Sequence, residues 1–184
     1  MDPCEPADLR WVHCSGHAPL NEGEDLFLLE LTIDTLTPIW TGDIDGKADK
    51  DIFVTSILGS MRWWFEALLR GVGADVPDPT QAHPVYDPSH PERMDPASRV
   101  FGATGLRRGF RLDLKHQCAV TPVRSPVQGG HGRSWYFKSN AMGGQIQLRI
   151  IPLKQGFPPE LIHDLLSLQT KWAGLGARNQ MGFG

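Results

Sequence analysis

The sequence has few of the features that mark secreted, membrane-spanning or nucleotide-hydrolysing proteins. Its 184 residues include only three cysteines, Cys4, Cys14 and Cys118, whose spacing fits no disulfide framework, so we expect free thiols in a reducing compartment. No apolar run approaches the ~18 residues of a membrane-spanning helix, and no charged-then-apolar leader begins the chain. The chain also has no internal repeats and no Gly-Lys-Ser/Thr phosphate loop. These absences predict a soluble, cytoplasmic protein with no membrane partner.

The net charge of −3 conceals an uneven distribution along the chain. Residues 1–50 carry eleven acidic and three basic side chains, a net charge of −8, so the remaining residues carry +5. The segment 93–133 concentrates this excess, with eight basic and two acidic side chains. Such a segment favours a polyanionic partner, although a solvated face balanced by the acidic N-terminal part explains the same pattern.

Apolar periodicity predicts three strands and two helices. The strands alternate apolar and polar residues with a period of two, beginning at Leu26, at Phe110 and at Gln145. The second and third are predicted over 110–115 and 145–152. The order is strand, helix, strand, strand, helix and then a glycine-rich loop. This order is that of a ferredoxin-like α+β fold whose last strand is missing.

One domain accounts for most of the chain. Residues 1–25 are polar and without a period, which predicts a loosely ordered arm, and 26–184 form the domain. Long insertions are predicted at about 74–98, which is rich in proline, and at about 119–143, which contains several glycines.

The first helix is the clearest element and covers Thr55–Arg70. Ser56 is the predicted N-cap, because its hydroxyl can accept a hydrogen bond from a free amide of the first turn. Glu66 is four residues from both Arg62 and Arg70 and can pair with either. Its predicted core face consists of Met61, Trp64, Phe65 and Leu68.

The second helix is predicted to open at Pro158-Pro159, because proline suits the first turn of a helix. Gly174 is its predicted C-terminal cap. Its predicted buried stripe consists of Leu161, Leu165, Leu168 and Trp172.

The glycine-rich tail, Gly174–Gly184, has the composition of a phosphate-binding loop. Its glycines allow backbone amides to approach a ligand closely, and Arg178 can neutralise phosphate charge. In a ferredoxin-like fold this loop runs beside the start of the first helix, so we expect it near Ser56 and Arg62. Amides, arginine and flat aromatic rings together suit single-stranded RNA.

Catalytic and metal-binding patterns are weak. The spacing of His13, Cys14 and His17 fits no zinc motif, and Asp43 and Asp45 lie in a turn-rich segment that lacks a calcium-loop pattern. His131, between two glycines, is the candidate general base. The sequence predicts neither a cofactor nor a metal site.

Four motifs occur in an order that resembles the RAMP proteins of CRISPR effector complexes. The closest likeness is to the first subunit of the Cmr module of type III-B systems, over roughly residues 26–184. The motifs are Thr37-Pro-Ile-Trp-Thr-Gly42, Ser56-Ile-Leu-Gly-Ser-Met-Arg-Trp-Trp64, Arg99-Val-Phe-Gly102 and the tail Gly174–Gly184.

The resemblance implies a non-catalytic subunit that binds crRNA at its 3′ end and helps to hold target RNA beside other Cmr/RAMP subunits. It also implies that the first helix and the glycine-rich loop face the RNA. Members of this subtype usually run much longer, with a second ferredoxin-like half. We therefore expect this sequence to be a truncated or split piece, or its missing edge to be completed elsewhere. The missing strand would leave the first strand open to pairing with a partner or a second copy.

An enzymatic alternative comes from the same resemblance. RAMP backbone subunits can be metal-dependent endoribonucleases that use an acidic residue after the first strand, where Asp43 and Asp45 lie. A stand-alone crRNA-processing nuclease would need His131 or another loop histidine as its base. The preferred prediction is RNA binding without cleavage. The predicted RNA-binding residues are Ser56, Ser60, Arg62, Trp63, Arg107, Arg108, Arg133, Gly174, Gly176, Arg178, Asn179 and Gly182.

Overall fold

A computed structural model describes residues 29–41, 51–78, 80, 85–121 and 141–176. They form a three-stranded antiparallel sheet in the order β1-β3-β2, with helices on one face. The elements are β1 (Leu29–Asp34), α1 (Val54–Gly71), α2 (Pro96–Phe101), β2 (Phe110–Thr121), β3 (Ala141–Pro152) and α3 (Pro159–Trp172). The predicted order of strands and long helices is confirmed, and the architecture is that of a ferredoxin-like fold without its fourth strand among these residues.

The register of the sheet separates an apolar face from a polar face. Leu31 of β1 pairs with Leu148 of β3, and Leu148 also pairs with Leu114 of β2. These residues form the core cluster with α1 and α3, together with Leu29, Ile33, Leu112, Ile146 and Ile150, which lie on the same face. Residues of the alternate parity, such as Glu30 and Arg149, lie on the opposite face, where they form an ion pair.

Both β2 and β3 are twice as long as β1, and longer than predicted, so the insertion predicted at 119–143 begins and ends inside strand structure. Gly144 permits this length, because it has a φ of +146° where a side chain would contact the β2 backbone. The polypeptide after β1 bulges at Leu36, which is 94% exposed, and rejoins the sheet where Ile39 pairs with Met142.

The helix α1 begins at Val54, one residue earlier than predicted, with Phe53 rather than Ser56 as its N-cap. No side chain caps it, so the prediction of a Ser56 cap is wrong. Met61 is fully buried, and Trp64 and Phe65 pack against the core, as predicted. Leu68 was predicted to be buried but is 39% exposed, because it lies at the end of α1 beyond the edge of the packed layer.

The buried stripe of α3 is displaced from the predicted one. Trp172 is 75% exposed, whereas Gln169, a polar residue, is completely buried against α1. Leu165 is buried as predicted. The buried residues of α3 are Pro159, Ile162, Leu165, Leu166 and Gln169. The buried face of α3 is therefore rotated from the predicted one, because Ile162 and Leu166 pack into the core cluster beside Leu165 and bring Gln169 to the same side.

The proline-rich insertion contains a helix that the sequence did not predict. Asp95 caps α2 by accepting a hydrogen bond from the Ser98 amide at 2.9 Å. Pro96 follows at the first helical position, where proline's fixed φ is suitable. The short α2 packs on α1, and a 3-10 turn at Pro91–Arg93 precedes it. Among the described residues, no helix is long and apolar enough to cross a membrane.

Candidate nucleic-acid interface

A cavity of about 240 Å³ lies between the start of α1 and the residues that follow α3. Ser56 and Ser60 of α1 line one side, and Leu175 and Gly176 line another. The prediction that α1 and the glycine-rich tail adjoin is therefore confirmed for Ser56 and Gly176. The remaining lining residues are Ile39, Trp40, Thr41, Ile52, Phe53, Ile57 and Ile146.

Ser56 and Ser60 face this cavity because they are four residues apart on one side of α1. Ser56 is exposed, and none of the described residues bonds to its hydroxyl. Ser60 is half-buried, and its Oγ accepts a hydrogen bond of 2.7 Å from Gln169 Nε2. Thr41 is buried and donates its hydroxyl proton to the Asp51 carbonyl at 2.9 Å.

Two glycines position the polypeptide after α3. Gly174 has a φ of +76° and its amide donates to the Gln169 carbonyl at 2.9 Å, so it ends α3 as predicted. Gly176 has a φ of +94°, and a Cβ there would lie 2.7 Å from Ile39 Cγ2 and 2.8 Å from the Trp40 carbonyl oxygen. Only glycine allows this approach, which closes the cavity against the segment after β1.

Arg62 does not line the cavity, although the sequence placed it beside the glycine-rich tail. Its guanidinium donates to Glu66 Oε1 at 2.8 Å, to the Gly102 carbonyl at 2.8 Å and to Ser98 Oγ at 3.3 Å. Arg70 also pairs with Glu66, at 3.4 Å, so both predicted partners of that carboxylate are confirmed. RNA contact by Arg62 stays a prediction, but these bonds give it a structural role between α1 and α2.

The other described candidates lie apart from the cavity. Trp63 is 56% exposed and rests edge-on against Trp64, with ring centroids 5.1 Å apart. Arg107 is exposed and Arg108 half-buried, in the turn that follows α2. RNA binding by these residues stays a prediction.

Seven candidates lie outside the described residues. They are Asp43, Asp45, His131, Arg133, Arg178, Asn179 and Gly182. The endoribonuclease alternative, which depends on Asp43 and Asp45, is therefore untested. Within the described ranges, no group of three or more His, Cys, Asp or Glu side chains is placed to hold a metal ion.

Sequence reasoning missed several residues of the interface. Trp40 and Thr41 belong to a motif that carries the family resemblance, yet that motif was assigned no binding residue. Trp172 was assigned to the core, but it is exposed and Lys171 Nζ lies 5.7 Å from its ring centroid. It stands three residues before the cavity residue Leu175 and offers a free aromatic face for stacking.

A second cavity of about 820 Å³ involves all three strands and residues 51–54. His116 Nε2 lies 2.6 Å from Asp51 Oδ1, and this hydrogen bond lowers the pKa of the Asp51 carboxyl. Arg149 pairs with Glu30 at 2.9 Å. Because acidic and basic groups alternate here, the cavity lacks the positive excess that a polyanion requires.

Cys118, on the same strand as His116, has a free thiol whose pKa is raised by burial.

Comparisons with known proteins agree with this architecture. The model of the RAMP superfamily matches residues 32–184. A chain of a "Type IV-B CRISPR Complex" has a similar fold, with a TM-score of 0.56 and 19% sequence identity over 85% of this chain and 87% of that chain. No curated protein sequence matches significantly. The family model spans most of the chain, including α1 and the glycine-rich tail, and the chain therefore belongs to the RAMP superfamily.

Proposed function

We propose that this chain is a non-catalytic RNA-binding subunit of a CRISPR effector complex. The observation that carries the proposal is the convergence of Ser56, Ser60 and Gly176 on one cavity, at the junction of the two motifs that carry the RAMP resemblance. Membership of the superfamily and the fold shared with a chain of a CRISPR complex support the same role.

The surface around this cavity has the groups that single-stranded RNA requires. The amides of the first turn of α1 have no side-chain cap among the described residues, and that turn contains no acidic residue. The helix dipole adds a partial positive charge at this end. Trp172 and Phe53 are exposed aromatic residues on the adjoining segments, and Lys171 supplies a cation. Phosphates and stacked bases can therefore be bound on one surface with little sequence selectivity.

Within this class we propose a type III-B, Cmr-like subunit that binds the 3′ end of crRNA and helps to hold target RNA. The four motifs in the sequence support this assignment, whereas the structural relative comes from a type IV-B complex. Pull-down with the products of neighbouring genes, followed by sequencing of the bound RNA, distinguishes a type III-B subunit from a type IV-B subunit. Recovery of Cmr subunits with crRNA 3′ ends supports type III-B, and recovery of type IV-B subunits contradicts it.

The binding test uses a fluorescent single-stranded 20-nucleotide RNA, titrated by anisotropy at several salt concentrations with and without Mg²⁺ or Mn²⁺. We expect binding that weakens as salt rises, because phosphate contacts release counterions, and an intact RNA on a denaturing gel. Absence of binding contradicts the proposal. Cleavage that is lost in Asp43→Ala or Asp45→Ala supports the endoribonuclease alternative instead.

Gly176→Ala should weaken this binding about tenfold, a change of ~1.4 kcal/mol, because the added Cβ drives the loop away from Ile39 and Trp40. Gly156→Ala is the matched control, since Gly156 also has a positive φ, +73°, but has open space around its Cβ position. Gly156→Ala introduces the same strain of a side chain at positive φ, and it should bind RNA with the wild-type affinity. Equal affinities for the two variants would mean that the close approach at Gly176 does not shape the interface.

We also propose that the free side of β1 pairs with a strand of a partner or of a second copy. In the described part of the sheet β1 is an edge strand, bonded to β3 on one side. We expect the purified protein at high micromolar concentration to elute above its monomer mass of 20.4 kDa and to return to that mass on dilution. Light scattering during gel filtration measures this directly, and a constant monomer mass contradicts self-pairing.

A further inference from the structure

Gln169 is an unusual residue at the contact between α1 and α3. Its side chain is completely buried, and its Nε2 donates to Ser60 Oγ at 2.7 Å, while its Oε1 has no hydrogen-bond partner among the described residues. An unpaired buried polar atom is destabilising, and a leucine would fill the same space without that cost. Helix packing therefore does not explain the residue.

The bond to Gln169 has a consequence for Ser60. In the assigned orientation of the amide, the Ser60 oxygen is an acceptor toward Gln169, so its own proton is left to be donated elsewhere. Ser60 lines the 240 Å³ cavity, and none of the described residues accepts that proton. Gln169 thus holds Ser60 as a hydrogen-bond donor at the wall of the cavity.

The size and lining of the cavity limit what it can hold. At about 240 Å³ it is smaller than the roughly 300–1,000 Å³ of sites for drug-sized ligands, so it admits one ring system rather than a dinucleotide. Ile39, Ile57 and Leu175 give it apolar walls, and Trp40 and Phe53 add aromatic surface. A flat, mostly apolar ring with an acceptor on its edge is complementary to this lining and to the Ser60 donor.

We propose that the cavity binds one unstacked nucleobase of the RNA strand, with Ser60 donating a hydrogen bond to an acceptor on its edge and Gln169 as a positioning residue. This inference rests on the proposed function, because it needs RNA bound along α1. It adds that one nucleotide is turned out of the stack at this point and is held by its base rather than by its phosphate. Any base offers an acceptor, so the pocket fixes the strand in position more than it reads sequence.

The test compares two 12-nucleotide RNA strands of equal charge, one of uridine throughout and one in which every ribose is abasic. Ser56→Phe, which places a ring at the mouth of the cavity, should lower the preference for the uridine strand over the abasic strand about tenfold, or by about 1.4 kcal/mol. Thr55→Phe is the matched control, because Thr55 is an exposed neighbour on α1 that does not line the cavity. It should change neither affinity.

A second variant, a double substitution, tests the hydrogen bond from Ser60 without leaving Gln169 buried and unpaired. Ser60→Ala with Gln169→Leu removes both polar partners together and should lower the preference for the uridine strand over the abasic strand about fivefold. If neither variant reduces the preference for uridine, the base pocket is overturned while RNA binding stands. If the wild-type protein binds neither strand, the proposed function itself fails.

Discussion

Arg62→Ala is expected to lower the free energy of unfolding by about 2–4 kcal/mol, because it removes the arginine that joins α1 to α2. The Arg62 side chain is 25% exposed and that of Glu66 only 12%, so water replaces the lost bonds poorly. Glu66 keeps its longer contact with Arg70, but the Gly102 carbonyl and Ser98 Oγ lose the cation. Urea unfolding followed by circular dichroism measures the difference.

Two companion variants separate geometry from charge. Arg62→Lys retains the charge but not the planar fork that reaches three partners, so it should recover less than half of the loss. Arg107→Ala removes an exposed arginine without a described partner and should change stability by less than about 0.5 kcal/mol. An Arg62→Ala protein as stable as Arg107→Ala would refute the structural role of Arg62.

Gly144→Ala is expected to destabilise the sheet by about 3 kcal/mol or more. Its Cβ would lie 2.3 Å from the Gln117 carbonyl oxygen and 2.9 Å from Cys118 Cα, both of which are backbone atoms of β2. Neither can move without breaking the pairing of β2 with β3, and a φ of +146° adds strain for any side chain. Thermal unfolding should shift down by roughly 6–12 °C.

The control is another glycine-to-alanine change, at Gly59 of α1. Gly59 lies inside the helix, and its Cβ position has no neighbour within 4 Å. Alanine there should raise stability by about 0.5–1 kcal/mol, since it restricts the unfolded chain and favours helix. Both substitutions replace glycine by alanine. Changes of opposite sign in the free energy of unfolding would therefore isolate the effect of the β2 backbone. Matching small effects at both sites would mean that the sheet relaxes around residue 144.

The elements with a clear period were predictable from the sequence, and their contacts were less so. The alternation in β1 and β3 reports directly which side of the sheet is buried, because the side-chain period is two. The spacing in α1 likewise identified Met61 and the pairs of Glu66. Rotation of α3 was mispredicted, since apolar spacing cannot anticipate that Gln169 is buried by its bond to Ser60.

The candidate site shows the same limit. Ser56 and Gly176 were predicted to adjoin because the order of elements in a ferredoxin-like fold brings their segments together. Arg62 was placed with them by the same fold argument, but at 3.6 residues per turn it is rotated by about 120° from Ser56. Its guanidinium instead contacts the segment of α2. Its partner Ser98 lies in α2 and its partner Gly102 caps that helix, which the proline-rich composition concealed although Gly102 stands in one of the four motifs.

The central place of β3 in the sheet has a consequence for how the chain folds during synthesis. Leu29 pairs with Ile150, more than a hundred residues later, whereas β2 and β3 are neighbours along the chain. Closing the longer loop costs more entropy, so we expect the β2–β3 hairpin with α3 to form first and β1 with α1 to dock last. On the ribosome β1 and α1 emerge long before their partner, and α1 exposes Ile57 and Met61 throughout that interval. The nascent chain is therefore most exposed to misassociation while only its N-terminal half has been synthesised. Chaperone binding is expected at that stage.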